Sequence, residues 1–321
     1  MNNNVRETFA KSVESIGLSD ARLVVIVSDI SHYRLQGFAR EAPGRYMNLG
    51  VCENSIVNFA AGMAHVGYIP VIHTFASFLI DRSFEQIKLS FGYHKLPVNL
   101  IAIGSGIEYS YHGVTHHSYI DGALIKSIDN SMVFNAASTN EFDQLFAKSY
   151  SNGAINLHRA TTQPHNVDLR GKEIVPGKAI RIKKGTDLVI FCTGQTLSVA
   201  VESIPFFTDQ GVDVEVVYIH TLKPLDVSLI SESLHRCKRA IVMEHQSKVG
   251  GLFSDIAMCA VEGCFEVPPQ VASVSLGDSF IHEYGTFQQH NTRLGFSVEN
   301  LLRLHATLSQ NRSLRPFHDV L

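Results

Sequence analysis

Apolar positions along this chain follow two alternating patterns. Short β-branched runs at Arg22–Ser28, Val98–Ile103, Met132–Ala136 and Ala154–His158 predict strands buried on both faces. Between them lie stretches of helical period. Asn54–His65 places Ile56, Val57, Ala60, Met63 and Ala64 on one face, and Gly67 follows as a stop. Arg82–Phe91 does the same with Phe84, Ile87 and Phe91. Asn140–Tyr150 does so with Phe142, Leu145, Phe146 and Tyr150, capped by Thr139 or Asn140. Strand–helix alternation predicts a parallel, doubly wound α/β sheet.

From Thr161 to Gly185 the sequence turns polar and rich in Gly and Pro, as an inter-domain linker would, with a short strand expected at Lys178–Ile182. A second α/β series follows. Strands are expected at Asp187–Thr193, Val212–Ile219 and Arg239–Glu244. Helices are expected at Leu197–Gln210, Ser228–His235, Leu252–Val261 and Ser297–His305. Pro205 predicts a kink or early end in the first of these. The reading is therefore two doubly wound domains, 1–165 and 186–310, joined by a linker at 166–185 and followed by a loose tail at 311–321.

Composition narrows the function. The chain has 321 residues, 45% hydrophobic and 18% charged, with net charge −3, which favours neither nucleic acid nor a membrane surface as partner. The five cysteines form no CxxC pair and no disulfide framework, as suits a reducing compartment. The N-terminal stretch lacks a signal-peptide pattern, and no apolar run approaches the ~20 residues of a membrane span. A cytoplasmic location is expected.

Three weak motifs are set aside first. Gly104-Ser105-Gly106 follows a strand, but the third glycine of a dinucleotide fingerprint is Tyr109 and no helix pattern follows. Gly250-Gly251 before a helix is either a tight turn or an anion site, the turn being the commoner use of glycine. His112, His116 and His117 have no Cys or carboxylate at zinc-ligand spacing beside them.

A stronger arrangement is spread over nearly the whole chain. The segment from Met47 to Ile87, containing Gly50-Val51-Cys52-Glu53 and His73-Thr74-Phe75-Ala76-Ser77-Phe78, comes first. Tyr111–Ile125, containing Gly113-Val114-Thr115-His116-His117, comes next, and then Ile155–Pro164, containing Leu157-His158-Arg159. In order and spacing these resemble the transketolase family. The segments around Asp187–Thr193, Val216–Asp226 and Ile241–Gly251 resemble that family's C-terminal domain. The likeness covers about the C-terminal half of a full-length transketolase: a thiamine-diphosphate pyrimidine-binding domain followed by a transketolase C-terminal-like domain.

The resemblance assigns roles that the residue types suit. Glu53 would hydrogen-bond the aminopyrimidine ring of thiamine diphosphate and relay the proton that activates the thiazolium; its plain alternative is a first-turn helix Glu. Phe75 and Phe78 would stack on the pyrimidine, adding roughly 1 kcal/mol beyond burial; the alternative, plain core, is stronger for Phe84. His116 would contact the substrate ketol oxygens. His117 stands where the family commonly has Gln. Arg159 and Arg6 would bind substrate phosphate through their guanidinium forks. Asp29 and Ile30, ending the first strand, match positions that contact the cofactor across an interface.

Two departures bear on substrate. His112 stands where an acid that contacts the acceptor hydroxyl is usual, and Gly104 where many members have a phosphate-binding histidine. A larger absence is the GDG…Asn site for Mg²⁺ and diphosphate; Gly277-Asp278-Ser279 comes far too late in the chain. The resemblance thus implies a separate diphosphate-binding subunit that holds Mg²⁺ (or Ca²⁺), no metal ligand in this chain, and an α2β2 heterotetramer. The substrates would be sugars or sugar phosphates: a two-carbon ketol unit would pass from a ketose donor to an aldehyde acceptor. Other readings stay open: the β subunit of a 2-oxo acid dehydrogenase E1, a 1-deoxyxylulose-5-phosphate-synthase-like acyloin former, or a catalytically silent scaffold subunit.

Overall fold

Five consecutive buried residues, Leu23–Val27, form the first strand, and such a strand has no polar face to show water. The computed structural model describes residues 5–310, so the tail expected at 311–321 lies outside the described residues. The strands are β1 (Leu23–Val27), β2 (Tyr46–Asn48), β3 (Ile69–Phe75), β4 (Val98–Ile103), β5 (Ser131–Phe134), β6 (Ile155–Ala160), β7 (Ile180–Lys183), β8 (Leu188–Cys192), β9 (Val214–Tyr218), β10 (Thr221–Lys223), β11 (Arg239–Ser247) and β12 (Gln270–Leu276).

They form two sheets. The first has the order β10-β5-β6-β4-β3-β1-β2 and the second β12-β11-β8-β9-β7. Each is parallel except at one edge, where β10 runs antiparallel to β5 and β7 antiparallel to β9. This is the expected pair of doubly wound α/β domains, with one addition. β10 comes from the second half of the chain yet pairs into the first sheet.

Several details differ from the expectations. The interior strand β3, next to the central β4, was not expected from the sequence, where Pro70 obscures it. Pro70 faces Val24 of β1, but pairing with β4 begins only at Val71, so its missing N–H costs that ladder nothing. The helix Leu197–Asp209 continues past Pro205 instead of ending early. The expected helix Arg82–Phe91 is irregular. Wide π-type turns at Ser77–Asp81 and Ile87–Tyr93 flank a short α turn at Phe84–Gln86. The cap of Thr139–Ser149 is Ser138, whose hydroxyl accepts from the Glu141 N–H.

The two sheets share packing. One apolar cluster joins Ile26, Leu100 and Leu157 of the first sheet with Phe191, Val217 and Val242 of the second. Lys223 Nζ reaches from β10 to the carbonyls of Lys126 (2.9 Å) and Ile128 (2.6 Å) and to Ser131 Oγ (2.9 Å). Asn135 Nδ2 donates to Thr193 Oγ1 at 3.0 Å. Gly106, at φ +66°, lies where a Cβ would stand 2.5 Å from the His245 carbonyl oxygen, so the domains approach closely only because it is glycine.

Gly250-Gly251 is a turn, and its helix end is already occupied. The Glu244 carboxylate accepts from the N–H groups of Leu252 (2.6 Å) and Phe253 (2.9 Å), which open the helix Leu252–Glu262. Burial, opposed by those bonds, pushes the Glu244 carboxyl up to about 7. A folded value above the unfolded one means that this contribution to stability is full at acid pH and is lost as pH rises towards 7. The urea midpoint of Glu244→Gln should therefore vary less between roughly pH 4 and 7 than that of the wild type. Equal slopes for the two proteins would remove Glu244 from the pH response.

Candidate active site

Glu53 begins the helix Glu53–His65 and is only 2% exposed. A carboxylate leaves water at high cost unless it is paired. Here both oxygens are held: Ser28 Oγ, at the end of β1, donates to Oε1 at 2.8 Å, and Arg82 donates to Oε2 at 2.8 Å. The helix N-terminus adds its dipole.

Next to this carboxylate is a wall of rings. Phe75 ends β3 and Phe78 lies in the wide turn after it; both are half-buried, with ring centroids 5.7 Å apart. His116 sits edge-on to both, at 5.2 Å and 5.0 Å. Tyr109 lies 4.8 Å from Phe75, and His112 lies 4.6 Å from His116. The Arg82 guanidinium is 4.3 Å from the Phe78 centroid while bonded to Glu53. One flat nitrogenous group thus already spans carboxylate and ring. A planar aminopyrimidine offers the same two contacts, so the residues present suit the pyrimidine end of thiamine diphosphate.

The loop that carries the histidines is fixed from behind. Gly113 has φ +69°, and a Cβ on it would lie 3.1 Å from the Tyr284 ring of the second domain. His116 Nδ1 lies 3.0 Å from Thr115 Oγ1. Burial, then the neighbouring His112, lowers the His116 pKa, so the ring is neutral at neutral pH. A neutral imidazole beside the rings can donate to, or accept from, a substrate oxygen.

The adjacent histidine turns the other way. His117 is 5% exposed, with Nδ1 3.3 Å from the Tyr119 hydroxyl. Its pKa falls to about 4, first through burial and then through His290 and His116. Asp29 and Ile30 follow β1. Asp29 is exposed at φ +62° and accepts from the Asn48 side-chain amide at 2.9 Å.

The resemblance places two arginines at a substrate phosphate. Arg6, half-buried, donates to the Tyr109 hydroxyl and so adjoins the ring wall. Arg159 lies deeper. It is 3% exposed, its Nε donates to Asp121 at 2.9 Å, and its Nη2 donates to the His245 carbonyl at 3.3 Å. Asp121, wholly buried, also accepts from Ser105 Oγ at 2.6 Å. In this structure Arg159 fastens the two domains rather than opening onto the cleft.

Sequence reasoning missed Ser28, Arg82 and Tyr109. Arg82 follows the two phenylalanines closely enough to have been suspected; the others gave no signal, because only the fold brings them in. Tyr109 also accounts for Gly104: a Cβ there would fall 2.6 Å from the tyrosine ring.

Two parallel α/β domains with a buried carboxylate beside an aromatic wall define a class of cofactor-dependent fold, and comparison with known proteins gives the family. Residues 2–161 match the family model of the transketolase pyrimidine binding domain, and residues 177–300 match that of the transketolase C-terminal domain. A 6-deoxy-6-sulfo-D-fructose transketolase subunit from Clostridium sp. (strain MSTE9) is 26% identical over 97% of this chain and 96% of its own length. An apulose-4-phosphate transketolase subunit from Actinobacillus succinogenes is 30% identical over 75% of this chain and 78% of its own length. A solved structure described as a split gene transketolase, inactive beta4 tetramer, superposes with TM-score 0.85 at 27% identity, covering 95% of this chain and 97% of that one. The chain belongs to the transketolase family. It is a subunit of a thiamine-diphosphate-dependent, transketolase-type transferase.

Replacing Asp121 by Asn would leave the buried Arg159 charge without its counter-ion. Such losses cost about 3–5 kcal/mol. Urea denaturation should show a loss of that order, and a change within experimental error would mean that Arg159 finds other compensation.

Proposed function

We propose that this chain supplies the pyrimidine-binding half of a split transketolase, in which a two-carbon ketol unit passes from a ketose to an aldehyde. The observation that supports this most is the buried Glu53 carboxylate beside Phe75, Phe78 and His116. Bound there, thiamine diphosphate would supply the carbanion chemistry that no side chain of this protein can provide. The chain's own residues divide the remaining work. Glu53 exchanges a proton with the pyrimidine ring nitrogen. Phe75 and Phe78 hold the ring plane and keep water away. His116 orients the reacting oxygens of the sugar, and His112 lies within reach of the acceptor end. Arg6 and Tyr109 bound the cleft on the side where a substrate tail would extend. Asp29 and Ile30 meet the cofactor where this chain adjoins its partner.

The diphosphate and its Mg²⁺ (or Ca²⁺) fall to a partner chain. Among the described residues no group of three or more His, Cys, Asp or Glu side chains is placed to hold a metal ion. Two relatives are named as transketolase subunits, which supports assembly with a diphosphate-binding chain, most simply as an α2β2 heterotetramer. Their named substrates are a sulfonated ketose and a ketose phosphate, so a ketose with an anionic end is the first donor to try. The five cysteines are all free, and among the described residues no helix is long and apolar enough to cross a membrane.

Calorimetric titration of thiamine diphosphate with Mg²⁺ should give tight binding to the complex with the partner chain, and weak or no binding to this chain alone. Tight binding by the lone chain would contradict the shared site. In the complex, Glu53→Gln should assemble normally but turn over about a hundredfold more slowly or worse, since one proton-transfer group is lost at little change in volume. Near-normal turnover would take Glu53 out of the mechanism.

A further inference from the structure

Behind the catalytic loop, away from the ring wall, the second domain encloses a cavity of about 300 Å³. One side is Tyr119; the others are the segment after β12 and the helix Phe287–Arg293. Its lining is mixed in a particular way. Leu276, Ile281 and Leu294 are apolar, while His290 and Arg293, one helical turn apart, bring in nitrogen donors.

His290 is the unusual member. It is 1% exposed, and its Nε2 has no hydrogen-bond partner among the described residues. A buried imidazole nitrogen left unmatched is costly, and although other buried histidines of this chain share that feature, His290 is the one that also lines this cavity. On the same helix Thr286 and Gln289 form a reciprocal cap, and Asn291 Oδ1 accepts from His245 Nε2 at 2.8 Å. Burial, with Arg293 nearby, keeps His290 neutral, so Nε2 can donate to a ligand in the appropriate tautomer. Arg293 is exposed at the rim, and Glu283 is a competing negative charge on the same lining.

We propose that this cavity binds a small organic oxyanion, a phosphate or carboxylate held by His290 Nε2 and the Arg293 guanidinium, with a short carbon body on Leu276, Ile281 and Leu294. A guanidinium beside an imidazole donor matches an oxyanion better than a neutral or cationic group. The apolar remainder leaves room for a few carbons and no second charge. The site also touches the catalytic loop. The Tyr119 hydroxyl accepts from the Ile281 N–H at 3.3 Å and lies 3.3 Å from His117 Nδ1, next to His116. An occupant would therefore press on the residue that braces the histidine loop. None of these contacts involves Glu53, Phe75 or Phe78, so the site stands apart from the cofactor cleft.

The test uses propyl phosphate and inorganic phosphate as probes, titrated calorimetrically into the full chain. Propyl phosphate should bind saturably and more tightly than inorganic phosphate, because only it fills the apolar part. Arg293→Gln, at an exposed position that leaves folding intact, should weaken it about tenfold or more, the usual effect of losing a charge-assisted bond. His290→Asn should weaken it as well, and Glu283→Gln should strengthen it. No saturable binding by the wild type would overturn the proposal. So would equal affinity in the wild type and Arg293→Gln, which would place the anion elsewhere, such as beside Arg6.

Discussion

A carboxylate removed from water at the start of a helix is the constraint around which the first domain is arranged. Glu53 can stay 2% exposed only because Ser28 and Arg82 each bond one of its oxygens and a helix N-terminus faces it. That requirement fixes three separate pieces of chain relative to one another: the end of β1, the first turn of the helix, and the wide turns after β3. Phe75 ends β3 and Phe78 lies in the turn directly after it. The aromatic wall and the acid are thus two consequences of one local geometry, and a shift of either would disturb the other.

The second domain contributes rigidity rather than chemistry to the cleft. Its strand β10 extends the first sheet, its His245 carbonyl receives Arg159, and its Tyr284 lies against Gly113. The histidine loop is a connection with little regular structure. Left to itself such a segment would sample many conformations. Packed between the aromatic wall and the second domain, it holds His116 at about 5 Å from both phenylalanines. Under the proposed function, in which a partner chain completes the cofactor site, this half of the site would be formed before the partner arrives.

Much of this was legible in the chain. Continuous apolar runs such as Leu23–Val27 and Val98–Ile103 identify parallel strands because both faces of such a strand are covered, and the pattern needs no tertiary knowledge. Glu53, Phe75, Phe78 and His116 were candidates because their spacing matches a family, and the fold brings Phe75, Phe78 and His116 into one ring cluster near Glu53. β3 was missed because Pro70 breaks the pattern that marks a strand, and nothing in the sequence says that the proline sits outside the ladder with β4. The helix expected at Arg82–Phe91 proved irregular, with wide π-type turns that propensity does not encode.

The sequence by itself determined the two α/β domains, the candidacy of Glu53, Phe75 and Phe78, and the absence of a recognisable diphosphate motif, since each is a property of residue type, local period or motif spacing. Tertiary structure decided what those cannot specify: which of the neighbours His116 and His117 faces the rings, that Arg159 turns inward to Asp121, and that Arg82, Ser28 and Tyr109 join the site. The physical reason is the same in each case. An imidazole or guanidinium can bond in several directions with similar energy, and only the groups brought near it from distant parts of the chain determine which direction is used.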